Sequence, residues 1–234
     1  MRDVSPHGGV RVATYNIQKC IGMDLRRRPE RILQVLAGVR ADIAVLQEVD
    51  KRLPPRPAAL PHFLLEDAGW QAADLGGAGS LGWHGNAVLF RDTVQLRDCS
   101  HITLPGLEPR GAVQVLLETE LGPLQVIGAH LGLTGRARRA QMHVLAEAAA
   151  AGGLPLVLAG DFNEWSRRPV LEHLAPALRF LPAKPSFPAL KPLGALDRMA
   201  HCDRLQVVGH GVHGAQPAHV ASDHLPVWAD FLAA

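Results

Sequence analysis

The chain has 234 residues, of which 47% are hydrophobic and 20% charged, with a formal net charge of +2. That length and balance describe one sizeable globular domain and exclude a disordered or fibrous chain. So small a net charge excludes the broad basic field of a dedicated nucleic-acid binder, and any affinity for phosphate has to be local.

Residues 1–9 are polar, contain Pro6 and lack the apolar stretch of a signal peptide, so they read as a flexible N-terminus ahead of a single domain over 10–234. Residues 10–15 form a first strand, with Val10 and Val12 on one face, that ends in the polar run Asn16-Ile17-Gln18-Lys19. Pro29, favoured at a first helical position, opens a helix to about residue 40 carrying Ile32, Leu33, Val35, Leu36 and Val39. Residues 42–46 are then a buried strand that delivers Gln47 and Glu48 at its carboxyl end. Strand, helix, strand is the order of a parallel crossover unit, although a mixed sheet also accommodates it.

A proline-rich loop over 54–61 leads to a short helix ending near Gly69, and residues 76–85 are glycine-rich and tightly turned. Strands follow at 86–90, 94–98, 112–118 and 123–129. Residues 134–151 make a strong alanine-rich helix with arginines on its first turns, stopped by Gly152-Gly153. Residues 154–159 form another buried strand, and 204–208 and 225–231 the last two. Periodicity alone establishes an α/β class.

No apolar run reaches the ~18 residues a membrane helix needs, and the default location is the cytoplasm. Cys20, Cys99 and Cys202 are widely spaced without a CxxC pair, so free thiols are expected. The arginines clump at Arg26-Arg27-Arg28, at Arg136 with Arg138-Arg139, and at Arg167-Arg168. Each clump alone reads as a solvated face. The first two follow motif-bearing strands and border a cleft that meets an anionic substrate.

Polar residues recur where apolar strands stop. In Leu158-Ala159-Gly160-Asp161-Phe162-Asn163, alternation puts Asp161 and Asn163 on one side and Phe162 on the other, so a carboxylate and an amide can grip water and a phosphoryl oxygen together; a simple strand-to-turn junction is the plain alternative. Glu48 at the edge of a buried strand is a natural ligand for a hard cation. Asn16 can orient Glu48, hold water or cap a turn. His130 follows Val126-Ile127-Gly128-Ala129, and Asp223-His224 precedes the last apolar strand. Histidine stabilises a phosphoryl oxygen when protonated and acts as a base when neutral, and Asp197 can hold one imidazole in its useful tautomer. His201-Cys202-Asp203 is rejected as a zinc site, because three adjacent residues rarely converge on one ion.

Taken in order, Ala13-Thr14-Tyr15-Asn16-Ile17, Leu46-Gln47-Glu48-Val49, His84-Gly85-Asn86-Ala87-Val88-Leu89, Gly128-Ala129-His130-Leu131, Gly160-Asp161-Phe162-Asn163, Leu196-Asp197-Arg198 and Ser222-Asp223-His224 resemble the successive motifs of the endonuclease/exonuclease/phosphatase superfamily. DNase I, exonuclease III-like repair nucleases, neutral sphingomyelinases and inositol polyphosphate 5-phosphatases belong to that superfamily, and this chain is similar to a short bacterial branch of it. The resemblance spans about residues 10–231. It implies a four-layer α/β sandwich of two packed mixed β-sheets flanked by helices. It further implies that Glu48 binds a divalent metal, Mg²⁺ or Mn²⁺, with Asn16 beside it and Asp223 as a metal-side or structural acid. Asp161 would activate or orient the attacking water and Asn163 would hold it or a phosphate oxygen. His224 would contact the scissile phosphate with Asp197 orienting it, and His130 would face that phosphate from the opposite side. One metal or two is open across the superfamily.

The chemistry agrees: phosphodiester hydrolysis needs an activated water, charge compensation on the phosphoryl oxygens and help for the leaving oxygen, which a metal, carboxylates and imidazoles supply. Oxygen ligands favour Mg²⁺ or Mn²⁺ over zinc. His130 is similar to the histidine of the DNase I and sphingomyelinase-like branches, which abasic-site nucleases generally lack. Arg110 stands where some nuclease branches carry a tyrosine; there it can clamp a phosphate bidentately or simply be a surface arginine beside a turn. The expected activity is Mg²⁺-dependent phosphoester hydrolysis, foremost of a phosphodiester on a small or lipid-linked substrate. A DNase or abasic-site endonuclease acting on nucleic acid is the alternative. A catalytically silent binding scaffold is disfavoured, since every expected position is filled, and no protein partner is implied.

Overall fold

Residues 10–16 and 43–47 are apolar on both faces, and a strand of that kind has to be covered on both. In the structure, a computed structural model that describes residues 9–50, 57–75, 79–166 and 170–234, these segments are strands β1 (Val10–Asn16) and β2 (Ile43–Gln47). They pair in parallel through the crossover helix α1 (Pro29–Val39). One face, Ala13, Tyr15, Ala44 and Leu46, packs on Ile32, Val35, Leu36 and Val39 of α1. The other, Val10, Val12, Ile43 and Val45, faces a second sheet. The segment at 1–8, the start of the proline-rich loop at 54–56, the glycine-rich residues 76–78 and the arginine pair at 167–168 lie outside the described residues.

The second sheet repeats the arrangement. Strands β7 (Gly122–His130) and β8 (Leu156–Asp161) run parallel, joined by a crossover helix (Gly135–Ala151). Ile127, Ala129, Leu156 and Leu158 pack on Met142 and Leu145 of that helix, while Val126, Val157 and Ala159 turn inward against the first sheet. Helix, sheet, sheet, helix is therefore the layer order, with one apolar core in each of three gaps.

Around the two parallel pairs every other pairing is antiparallel, which makes both sheets mixed. Between β2 and β7 lie a short helix α2 (His62–Asp67), β3 (Gln71–Ala72), β4 (Ala87–Phe90), β5 (Gln95–Thr103) and β6 (Gly111–Thr119). The Gly135–Ala151 helix is α3; after β8 come β9 (Arg179–Phe180), β10 (Asp197–His201), β11 (Leu205–Val212), a single helical turn α4 (Ala218–Ala221) and β12 (Val227–Ala233). Strand order is β11-β12-β1-β2-β4-β3 in one sheet and β5-β6-β7-β8-β10-β9 in the other.

Sequence periodicity misses β10, whose apolar content is only Met199 and Ala200 between charged neighbours; its pairing with β8 makes it a strand. β5 runs five residues past its expected end at 98, because a sheet edge tolerates the polar Cys99-Ser100-His101 that periodicity reads as loop. β8 starts at Leu156, after Pro155, which donates no ladder hydrogen bond.

Helix α3 begins on a true cap: Thr134 has extended backbone and its side chain accepts from the Ala137 amide at 3.3 Å. The first turn holds no acid to complement the helix dipole, so the cap is its main local support. Thr134→Ala should cost about 1 kcal/mol and lower Tm by roughly 2–4 °C in a thermal melt followed by circular dichroism.

Candidate active site

Alternation decides which side chains reach the gap between the sheets. Asn16 shares the face of Val10 and Val12, His130 that of Val126, Asp161 that of Val157 and Ala159, and Asp197 that of Met199. All four cap the inter-sheet core at one end. β7 and β8 stop in register there, His130 beside Asp161, and antiparallel β10 starts there with Asp197 opposite Asp161. The Asn16 amide reaches across the gap and donates from Nδ2 to Asp161 Oδ2 at 3.0 Å. Residues remote in the chain are tied in as well: Ser222 Oγ donates to the Asn16 carbonyl at 2.7 Å, seating His224 over the same end.

Asp161 lies between two histidines. Its Oδ2 is 3.4 Å from His130 Nε2 and 3.7 Å from His224 Nε2. The histidines are tuned in opposite directions. Burial drives the His130 pKa down, the charges of Arg110, His224 and Lys19 add to this, and the pull of Asp161 is too weak to prevent a fall to about 4. Burial pushes His224 the same way, but the charge of Asp197 and its hydrogen bond, helped by Asp161 and Asp223, outweigh it and raise the pKa to about 9. At neutral pH the site thus holds one neutral imidazole and one imidazolium around one carboxylate. His224 Nδ1 donates to Asp197 Oδ2 at 2.9 Å, and the same oxygen accepts from Ser186 Oγ at 2.5 Å, which fixes the ring.

Asn163 follows with φ 50°, its backbone N–H donating to Asp161 Oδ1 at 2.9 Å and its Nδ2 to the Leu131 carbonyl at 2.9 Å. Phe162 between them turns into the core under α3. The local turn and the side-by-side Asp and Asn are therefore one structure.

Glu48 stands one residue beyond β2 with φ 57°, and Lys19, at φ 58°, bonds it twice: through the Lys19 amide to the Glu48 carbonyl at 2.9 Å, and through the ammonium to Glu48 Oε2. Asp223 is half-buried; its Oδ1 accepts weakly from Ser222 Oγ at 3.3 Å and its backbone carbonyl accepts from Ala189. Arg110 pairs with Glu108 at 3.0 Å, and its charge is felt at His130.

For a divalent cation, one group stands together among the described residues. Asp161, Asp197 and His224 present ligand atoms within 4.8 Å of one another. That grouping differs from Glu48, Asn16 and Asp223. It reads as a hydrogen-bonded relay, because His224 Nδ1 and Ser186 Oγ both already donate to Asp197 Oδ2. The expected ligands Glu48, Asn16 and Asp223 would all offer oxygens, and the buried Asp197 Oδ1 has no hydrogen-bond partner. That donor set fits a hard ion such as Mg²⁺ or Mn²⁺.

Sequence reading misses four contributors. Lys19 lies in the polar run Asn16-Ile17-Gln18-Lys19 without a role, and Ser186 lies in the loop before β10. Asn86 donates to the Gly111 carbonyl at 2.9 Å and joins the sheets beside Arg110, and Phe187 lies against His224 with ring centroids 4.8 Å apart. For Lys19 a signal existed: a basic residue one turn after a strand-end Asn. For Phe187 none did, since its position depends on the loop that carries it.

Known proteins extend the comparison. A model of the Endonuclease/Exonuclease/phosphatase family matches residues 13–224. Uncharacterized protein YbhP of Escherichia coli strain K12 is 30% identical over 222 residues, covering 85% of this chain and 87% of its own. Among solved structures, humanized D. rerio TDP2 superposes with a TM-score of 0.77 at 15% identity, covering 96% of this chain and 99% of that one. The mannosyl-6-phosphatase Bt3783 of Bacteroides thetaiotaomicron superposes with a TM-score of 0.72 at 17% identity, covering 95% and 99%. At those identities the structural matches speak for the fold.

Proposed function

The chain belongs to the endonuclease/exonuclease/phosphatase family, and from that membership we propose that it is a divalent-metal-dependent phosphoesterase, foremost a phosphodiesterase, that hydrolyses its substrate with an activated water. The observation that carries the reading is Asp161 set between two buried histidines, His130 and His224, whose pKa values burial and Asp197 drive in opposite directions.

His224, kept as imidazolium by Asp197, offers its Nε2–H to a phosphoryl oxygen and stabilises the charge that grows there. Asp161 accepts the proton of the attacking water, and Asn163 holds that water or a phosphate oxygen with the capacity its Leu131 contact leaves. His130 meets the phosphate from the other side, and Arg110 adds a guanidinium at the edge of the site. Mg²⁺ or Mn²⁺ at Glu48, with Asn16 and Asp223 beside it, would supply further charge compensation and make bound water more acidic.

The test is hydrolysis of bis(4-nitrophenyl) phosphate by protein stripped with EDTA and reloaded with Mg²⁺ or Mn²⁺. Stripped protein should be inactive and reloading should restore it. Glu48→Ala and His224→Ala should each lose about 10²-fold or more. Equal rates for all three proteins would sink the reading.

One observation favours a nuclease as the second reading: Arg26, Arg27 and Arg28 are all exposed on the loop that follows β1 toward the site end. Plasmid nicking at low salt separates the two. A silent scaffold would show no metal-dependent turnover on any phosphoester.

A further inference from the structure

The mouth of the site is more apolar than a soluble substrate requires. Leu107 is fully exposed, and Leu133, Trp165 and Leu193 are 65%, 61% and 68% exposed. Each comes from a different loop, and each is linked to the site through one intermediate residue, Glu108 or Phe187. The Leu133 amide donates to Glu108, the carboxylate that also holds Arg110, and Leu107 is the neighbour of Glu108. Trp165 meets Phe187 edge to face at 5.8 Å, and Phe187 lies against His224. The Leu193 amide donates to the Phe187 carbonyl at 2.8 Å.

Beside Leu133, the first turn of α3 breaks the usual charge rule, with Arg136, Arg138 and Arg139 and no acid at a helix end that is already positive. Glu164 compensates Arg138 at 3.3 Å. Arg136 and Arg139 are exposed, and no carboxylate among the described residues pairs with them. Apolar side chains raised on separate loops and bordered by uncompensated arginines suit shallow insertion among anionic headgroups better than they suit a flat protein interface.

We propose that this rim docks on an anionic phospholipid surface and presents a lipid phosphoester to the site; the second half rests on the phosphoesterase reading above. Leu107, Leu133, Trp165 and Leu193 enter the boundary between headgroups and acyl chains, and Arg136 and Arg139 face the lipid phosphates.

The experiment is co-sedimentation of the full chain with phosphatidylglycerol-containing vesicles and with pure phosphatidylcholine vesicles, alongside hydrolysis of the soluble ester. The wild type should sediment with the anionic vesicles and little with the neutral ones. The double variant Leu107→Ser with Leu133→Ser should lose about tenfold or more of that partition while hydrolysing the soluble ester at the wild-type rate. Arg136→Glu with Arg139→Glu should lose a similar factor. Absence of sedimentation, or both double variants sedimenting like the wild type, overturns the proposal. So does a wild-type dimer in gel filtration that the leucine variant dissociates, which would assign the rim to a second copy. Vesicle binding without turnover of the soluble ester keeps the rim and overturns the phosphoesterase reading; turnover without vesicle binding does the reverse.

Discussion

Asp197→Asn is expected to lower kcat for a phosphodiester by about 10³–10⁴ with KM within a few-fold of wild type, because its carboxylate acts through His224. The side chain is buried on the inter-sheet face and its Oδ2 receives both Ser186 Oγ and His224 Nδ1. An amide keeps the shape and removes the charge that overcomes burial and lifts the His224 pKa to about 9. The ring then loses its proton at neutral pH and no longer brings positive charge to the phosphoryl oxygen.

Stability supplies a separate readout. Since the folded pKa of His224 is raised, its contribution is fully present below the ordinary value of 6.5 and is lost as pH climbs through about 9. The variant should therefore be less stable by on the order of 3 kcal/mol near pH 6, with the gap closing above pH ~9. Denaturant titrations at both ends of that range check it. A gap that does not change with pH would mean Asp197 acts by packing alone.

Gly160→Ala should cost more than ~4 kcal/mol and lower Tm by at least ~8 °C. A Cβ at Gly160 would lie 1.8 Å from the Ala129 carbonyl oxygen and 2.8 Å from its carbon. Those atoms belong to the neighbouring strand in a parallel ladder, so no side chain can move aside; β7 and β8 would have to part where they deliver His130 and Asp161. Gly135→Ala is the control. There the new methyl meets only the flexible ends of Arg139 and Arg138, at 3.5 and 3.7 Å, on the first turn of α3, and the change should be neutral or stabilising by about 0.5 kcal/mol. Equal melts for the two variants would show that the strands separate freely.

Both predictions concern residues whose location was legible early and whose partners were not. Helices α1 and α3 and strands β1, β2, β7 and β8 follow from apolar periodicity, alanine-rich propensity and proline and glycine punctuation, all of which act within a few residues. The same local code marked Asn16, Glu48, His130 and Asp161 as polar groups at strand ends, and alternation set the face of Asn16, His130 and Asp161. Their order along the chain, rather than any one of them, carried the family resemblance.

What the tertiary structure alone decided is how those ends meet. Asn16 and Asp161 bond across two different sheets, and Ser222 reaches the Asn16 carbonyl from near the other end of the chain. Asp197 becomes part of a strand only through β8, and Ser186 joins it from a loop without local signature. The opposite protonation of His130 and His224 is likewise a tertiary property: burial weighs on both, and the distance to a second carboxylate separates them. Short-range rules fix which side of a strand a group occupies, because the backbone repeats every two residues. Whether that group is paired, charged or free to react depends on electrostatics and desolvation, which exist only once the two sheets have closed on each other.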